Sequence, residues 1–403
     1  MGEHQTVKIV RILVFFLAVF SVSGAAVAKE GAREFQAATA LPSWRAPGGA
    51  FTVEGSTEAG VAVSVTSGSL VLGKTHAETS GRFSVVARAP ARSGRYRLRV
   101  ASGGLTIPLG LMLVRPVRIA AGGDFNPGDK IAALAAVHGP RYPWLSVGPV
   151  LRAADIATVN LEGVVSSRGS PVPDKEFHFR GARSMLAGAV DAAGLDVVTV
   201  ANNHSLDFGP TAFLDTLAAL DALGVRSVGG GATLAKARKP AVLEAGGLRI
   251  AFLGYSDVNP YGFGATSSSP GTAVADSDAI RADIRSLRRS ADLVVCWFHW
   301  GEELATTPTS REQELASACL NAGAKLVLGS HPHVLQPVVR PRPQLLVAFS
   351  LGNFVFPAGS PGTQRTGVLE VDVASDGVRG YRLRPATIVD GQPRLNAPLR
   401  RRR

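Results

Sequence analysis

One local pattern limits the folds open to this chain more than any other. Six times between residues 117 and 356 a short apolar run, the mark of a buried strand, ends in side chains that bind cations or move protons. Val117-Arg-Ile-Ala-Ala runs into Gly-Gly-Asp124, and Ile156-Ala-Thr-Val into Asn160-Leu-Glu162. Asp196-Val-Val-Thr-Val runs into Asn202-Asn203-His204, with Asp207 three residues on. Leu293-Val-Val-Cys-Trp-Phe leads to His299-Trp-Gly-Glu-Glu303, Leu326-Val-Leu-Gly-Ser to His331-Pro-His333, and Leu345-Leu-Val-Ala-Phe to Ser-Leu-Gly-Asn353. Stretches of helical period lie between them at 182–193, 211–223 (with Gly224 as a stop signal), 279–289 and 311–320. Strands alternating with helices predict an α/β layered core. Open α/β sheets gather their ligands beyond the carboxyl ends of the strands, where all six motifs would then meet.

Each motif alone has an ordinary explanation. Asp124 would serve as a turn residue, Glu162 as a surface carboxylate, and Asn203 and Asn353 as partners for loop backbone. His204 and His299 would pass as hydrogen-bonded core histidines. Glu303 would suit a helix start, and Asp207-Phe-Gly a helix entry. Trp300 and Phe354 read as packing. Independent causes would not put every histidine-bearing motif at the same end of successive strands, so the sequence predicts one shared site.

The donors at that site are oxygen and nitrogen, with no cysteine among them, which disfavours a closed structural zinc. Carboxylates, a carboxamide and imidazoles suit Mn, Fe or Zn, in number enough for two divalent ions. Such a pair clamps both oxygens of a phosphoryl displacement and acidifies a bound water. His204 is placed to protonate a leaving oxygen, with Asp207 orienting its ring. Rival schemes lack their signatures: there is no G-x-S-x-G elbow, no P-loop and no dinucleotide glycine fingerprint. Cys296 and Cys319 read as buried free thiols, though one bridge between them stays open.

The rest of the 403 residues divide by composition. Lys8 and Arg11 precede an apolar run and a small-residue stretch ending near Ala28, so residues 1–28 read as a secretory signal peptide or, uncleaved, a membrane anchor. Either way the protein is exported, and it lies in the periplasm, in the medium or on the outer face of the membrane. Residues 29–46 read as a linker. Residues 47–116 alternate apolar and polar with glycine turns, predicting a small all-β sandwich, immunoglobulin-like by pattern. Residues 117–390 form the α/β domain, and 391–403 a basic tail. The long Gly-, Ser- and Pro-rich stretch 259–276 is a candidate lid or substrate-binding loop. A formal charge of +12 favours an anionic partner, an acidic polymer or acidic membrane surface, while nucleic-acid modules are missing.

The ordered set Gly-Gly-Asp124, Asn160-Leu-Glu162, Ala-Asn-Asn203-His204-Ser-Leu-Asp207-Phe-Gly, His299-Trp-Gly-Glu-Glu303, Gly-Ser-His331-Pro-His333 and Ser-Leu-Gly-Asn353-Phe-Val-Phe resembles the CapA family of capsule and poly-γ-glutamate biosynthesis proteins. That family looks like a divergent branch of the calcineurin-like metallophosphoesterases. The resemblance implies a four-layer αββα sandwich, preceded here by the small β-sandwich. It implies a dinuclear site with Asp124, Glu162, Asn203, His299, His331 and His333 as ligands and His204 and Asp207 as the catalytic pair. Asn160, Glu303 and Asn353 would line the substrate. The likeness departs in two places: Asp124-Phe-Asn126 lacks the histidine of the usual Asp-x-His pair, and Glu162 stands where the bridging residue is usually Asp. Two functions follow as expectations. One is an exported metal-dependent phosphoesterase-like hydrolase in envelope polymer production, acting on a phosphoester or an anionic polymer. The other is a non-catalytic envelope protein that binds an acidic polymer or scaffolds its synthase and export machinery.

Overall fold

The computed structural model describes residues 26–30 and 33–396. The expected leader lies outside them except for Ala26 to Ala28, which begin the strand Ala26–Glu30. Among the described residues no helix is long and apolar enough to cross a membrane. The described chain forms two compact units. One draws on the residues up to Leu41 with Thr52–Val85 and Arg97–Gly110, the other on Pro42–Phe51, Val86–Tyr96 and everything from Leu111 onward.

The first unit is all strand. Ala62–Ser67 pairs antiparallel with Leu70–His76 on one side and Gly94–Ser102 on the other. Alternate residues turn inward, as a period of two requires: Val63, Val65, Leu98 and Val100 are buried while their neighbours are not. The stretch read as a linker carries strand Arg33–Ala37, whose Phe35 packs its ring 6.2 Å from that of Phe83.

The second unit has the mixed α/β character that the alternation predicts, built on two large sheets. The eight-stranded sheet runs in the order Arg226–Val228, Val197–Thr199, Ile156–Leu161, Val117–Phe125, Arg365–Ala374, Gly377–Val389, Gln392–Leu395, with Asn353–Val355 also beside Val117–Phe125. The six-stranded sheet runs Ala241–Ala245, Leu248–Ser256, Leu293–His299, Leu326–Ser330, Leu346–Ala348, Val338–Val339. In both sheets the central strands pair in parallel. They are buried on both faces, so Ile156–Leu161, Leu293–His299 and Leu326–Ser330 read as unbroken apolar runs rather than alternating ones.

Neighbouring residues of one strand serve different cores. Ile119, Ala121, Val295 and Trp297 join a cluster shared by the two sheets. Ala120 and Val198 instead meet Met185, Leu186 and Phe213 of helices Arg183–Ala193 and Gly209–Ala222. Val294, Cys296 and Phe298 meet Ile280, Ile284, Leu315 and Cys319 of helices Ser277–Ser286 and Ser310–Ala322. Each fully buried large side chain contributes roughly 1.5–3 kcal/mol, so these clusters hold the strand ends in register. Both cysteines are free and buried.

Helix limits follow their caps. Ser310–Ala322 starts on a capping box between Thr309 and Glu312. Ser277–Ser286 starts on Asp276, whose side chain accepts from Ala279 N, and stops short of the expected 289 because Leu287–Arg289 tightens into a 3₁₀ turn. The loop 259–276 is more ordered than its composition suggests. Phe263 is buried, Thr272 Oγ1 donates to Asn259 Oδ1, and Gly271–Thr272 pairs with Gly230–Gly231. Gln392–Leu395, inside the stretch read as a basic tail, is the edge strand of the larger sheet.

Candidate metal centre

The parallel strands deliver the six motifs to one place. Asp124 and Asn160 sit side by side at the ends of neighbouring strands, with Asn353 next to Asp124 on the other side. Across the second sheet His299 pairs with Ser256 and Ser330, the last residues of their strands. The close approach of Asp124 to the Asn353 segment depends on Gly123, where a Cβ would lie 1.9 Å from the Gly352 carbonyl oxygen. Asp124 N donates to that same oxygen at 3.0 Å.

Three sets of side chains lie close enough to share a cation. Glu162, His299 and His331 each offer one donor atom within 4.8 Å of the others, and so do Asp124, Glu162 and His333, and Glu303, His331 and His333. Asn203 Oδ1 joins them through a 2.8 Å hydrogen bond with His299 Nε2. All eleven side chains singled out from the sequence, Asp124, Asn160, Glu162, Asn203, His204, Asp207, His299, Glu303, His331, His333 and Asn353, fall in this neighbourhood and are linked by the contacts described here.

The electrostatics of the cluster are unbalanced. Both carboxylate oxygens of Glu162 and the Nδ1 of His331 are buried with no hydrogen-bond partner. Burial drives the Glu162 carboxyl well above the usual range, and the negative charge of Asp124 adds to this while Lys175 opposes it. Asp124 is raised by burial against the pull of His333 and a hydrogen bond from Asn160. Burial lowers His299 well below the ordinary imidazole value, and it lowers His331 to about 3, His333 and His204 contributing in the same direction. Two buried carboxylates beside neutral imidazoles with a bare oxygen pair between them are what a divalent cation would satisfy, since burying a charge unpaired costs several kcal/mol. The donor set therefore fits a metal.

Backbone strain marks the same loop. His331 and His333 adopt φ of 98° and 57°, and Leu304, beside Glu303, has φ of 62°. Non-glycine residues rarely adopt such angles, and each costs roughly 1–3 kcal/mol. The turn persists because Leu304 N donates to Pro332 O at 2.9 Å, tying the two loops together, and because His331 N donates to Asp124 Oδ2 at 3.3 Å.

A second tier of polar groups aims the first. Asn160 Nδ2 donates to Asp124 Oδ1 at 2.8 Å and lies 3.2 Å from His299 Nδ1. Asn202 Nδ2 donates to Asn160 Oδ1 and to Leu161 O. Asn353 Oδ1 faces His333 Nδ1 at 2.8 Å. Asn160 and Asn353 are buried, and these contacts let their amides orient the donors. Glu303 is exposed at the mouth. Asn126, in the place of the expected first-loop histidine, spends its amide on Gly128 N and Asp129.

His204 faces the cluster with one edge and a clamp with the other. Its Nε2 is 3.9 Å from Glu162 Oε1, while its Nδ1 lies 2.8 Å from Asp207 Oδ2. The sequence reading missed two partners of this ring and one of its backbone N–H. Lys175 Nζ contacts His204 Nδ1 at 2.9 Å, Asn203 O at 2.6 Å and Asp207 Oδ1. Phe179 stacks on the imidazole with ring centres 3.9 Å apart, and its N donates to Asp207 Oδ2 at 2.7 Å. Asn202 Oδ1 accepts from His204 N at 3.1 Å. Burial lowers His204 despite the opposing pull of Asp207.

Comparison with known proteins places the chain among capsule synthesis proteins. Residues 118–358 match the model of a family described as bacterial capsule synthesis protein PGA_cap. The chain is 31% identical over 273 residues to the PGA biosynthesis protein CapA of Bacillus subtilis, spanning 67% of this chain and 71% of that one. It is 31% identical over 279 residues to the capsule biosynthesis protein CapA of Bacillus anthracis, spanning 68% and 67%.

Proposed function

The chain belongs to the PGA_cap family of bacterial capsule synthesis proteins, and from that premise we propose an exported, metal-dependent, phosphoesterase-like hydrolase that serves production of a capsular or poly-γ-glutamate-like polymer. The observation that carries the reading is Glu162, whose two oxygens are buried and bare among His299, His331, Asp124 and His333. Asp124, Glu162, Asn203, His299, His331 and His333 would hold one or two divalent ions, Mn, Fe or Zn by donor type. The bound metal supplies Lewis-acid polarisation and a water acidic enough to ionise near neutral pH. The two large sheets with their helices support the four-layer αββα arrangement of the metallophosphoesterases, at about residues 117–390, preceded by an immunoglobulin-like sandwich at about 47–116. The apolar run within residues 1–28 supports export.

The chain's own residues then divide the work. Asp207 and Lys175 hold the His204 ring from its Nδ1 side, and Phe179 fixes its plane. His204 Nε2, facing Glu162, is the atom that hands a proton to the leaving oxygen. Asn160, Asn202 and Asn353 keep the donors aimed, and Phe179 and Phe356, packed edge to face at 5.6 Å, exclude water from the rim. The test is metal analysis of the purified protein with a panel of phosphodiester and phosphomonoester substrates. Metal binding with turnover lost in His204→Ala and His331→Ala supports the reading, and turnover undetectable with every metal defeats the enzymatic part.

One observation favours a second reading. Asn126 is committed to its own turn, which leaves the first loop a single donor, Asp124. A site so depleted would suit a non-catalytic protein that binds an acidic polymer and organises its synthase. Polymer binding that survives replacement of His204 and His299, without turnover, would support it.

A further inference from the structure

A second concave site lies directly behind the His204 clamp. Phe179 stacks on His204, and the next residue, Arg180, lays its guanidinium 3.5 Å above the ring of Phe208, which itself follows Asp207. Thus two neighbouring pairs, Phe179 with Asp207 and Arg180 with Phe208, face opposite ways. The first holds the imidazole, and Arg180 of the second lines a cavity of about 600 Å³ together with Arg168, Arg183, Ser166, Ser167 and Asp215.

Three guanidinium groups meet one carboxylate there. Arg168 and Asp215 satisfy one another: Nε donates at 2.8 Å, a second guanidinium nitrogen bonds the other oxygen, and Ser166 Oγ donates to the same carboxylate at 2.6 Å. Two positive charges are left over. Arg180 spends one nitrogen on the carbonyls of Arg168 and Gly169, and its Nε is buried without a partner. Arg183 is exposed, and no hydrogen bond of its guanidinium is found among the described residues. It opens the helix Arg183–Ala193, whose cap residue Ala182 has no side-chain acceptor, so the helix start adds to the positive field rather than cancelling it. Planar forks of this kind match carboxylates two donors at a time.

We propose that this cavity is an anion subsite that takes a carboxylate arm of an extended polyanionic chain. The inference rests on the polymer context proposed above. Arg180 and Arg183, neither of them hydrogen-bonded to a carboxylate, flank a cavity of this size, and that suits a chain that carries its charge at every repeat.

The test is binding rather than turnover. A fluorescein-labelled oligomer of γ-linked glutamate is titrated with the full chain at low salt, and the same titrations are run with Arg183→Glu and Arg183→Lys. Arg183 is exposed and an acidic residue suits a helix start, so the first variant keeps the fold, which its unfolding temperature verifies. The expected result is an affinity loss of about tenfold or more for Arg183→Glu and a loss of no more than about threefold for Arg183→Lys. Metal content of Arg183→Glu stays at the wild-type level, which keeps this result separate from failure of the metal-site reading. Wild-type affinity in Arg183→Glu, or no binding of the oligomer by the wild type, overturns the proposal. Inorganic phosphate that binds at the Arg183-dependent site while the oligomer does not compete also overturns it, in favour of a small-anion site.

Discussion

Replacing Glu162 with glutamine should stabilise the metal-free protein and abolish its stabilisation by metal. In the metal-free protein the Glu162 carboxyl is wholly buried, bare at both oxygens and held well above the ordinary range. A carboxyl raised on folding favours the folded state only while it stays protonated. Its contribution is fully present below the unfolded value near 4.5 and is lost as pH rises through the folded one, at about 1.4 kcal/mol for each unit of separation. At pH 7 to 8 the metal-free wild type therefore carries a burden that glutamine, nearly the same shape and uncharged, does not. We expect Glu162→Gln without metal to be more stable than wild type by about 1–3 kcal/mol, the usual cost of one unsatisfied buried polar group. In a unit of this size that is roughly 2–10 °C in unfolding temperature. Added Mn or Zn should raise the wild type and leave the variant where it was. Thermal unfolding in chelator and in metal, from pH 5 to 8, measures both. A variant less stable than wild type in chelator at every pH, or one that metal stabilises as much as the wild type, would refute the reasoning.

Other consequences follow from the same geometry. His331, lowered to about 3 by burial, keeps its neutral form on folding, so its contribution is present above 6.5 and is lost as pH falls from 6.5 toward 3; the urea midpoint of metal-free His331→Asn should fall less steeply than that of wild type over this window. His204→Ala should lower turnover on any phosphoester the protein accepts by about 10²–10⁴-fold while leaving metal content unchanged; metal loss in parallel would make the ring a ligand instead. Gly123→Ala should cost about 3 kcal/mol or more, because the new carbon would meet the Gly352 oxygen at 1.9 Å, and chemical denaturation would report it. Thr309→Ala should cost about 1 kcal/mol through the lost capping box, with no effect on metal binding.

The strand-end motifs were legible because parallel strands send all their carboxyl ends one way. A residue just past Val159, Phe298 or Leu328 has nowhere else to go once those strands are buried side by side. The residues that aim the site were not legible. Lys175 lies in the irregular stretch between Val165 and Arg180, beside exposed Asp174 and Glu176, where a lysine ordinarily belongs to solvent. Only the cluster Phe177-His178-Phe179 inside that polar loop hinted that it folds inward. Spacing also could not show that the amides of Asn160 and Asn353 meet the second nitrogens of His299 and His333, since a buried imidazole needs both nitrogens answered. Proline fixes its own φ and so stiffens the Pro332 turn. Positive φ angles at His331 and His333, held by the neighbouring Leu304 loop, supply a further constraint that spacing cannot reveal.

Diffraction data collected on either side of the Mn, Fe and Zn absorption edges, from crystals of protein purified without chelator, would test the central claim most directly. The account predicts one or two anomalous peaks bounded by Glu162, His299, His331 and His333, with Asp124 and Asn203 in reach. No anomalous peak in that cluster, or Glu162 found paired to another side chain, would contradict it.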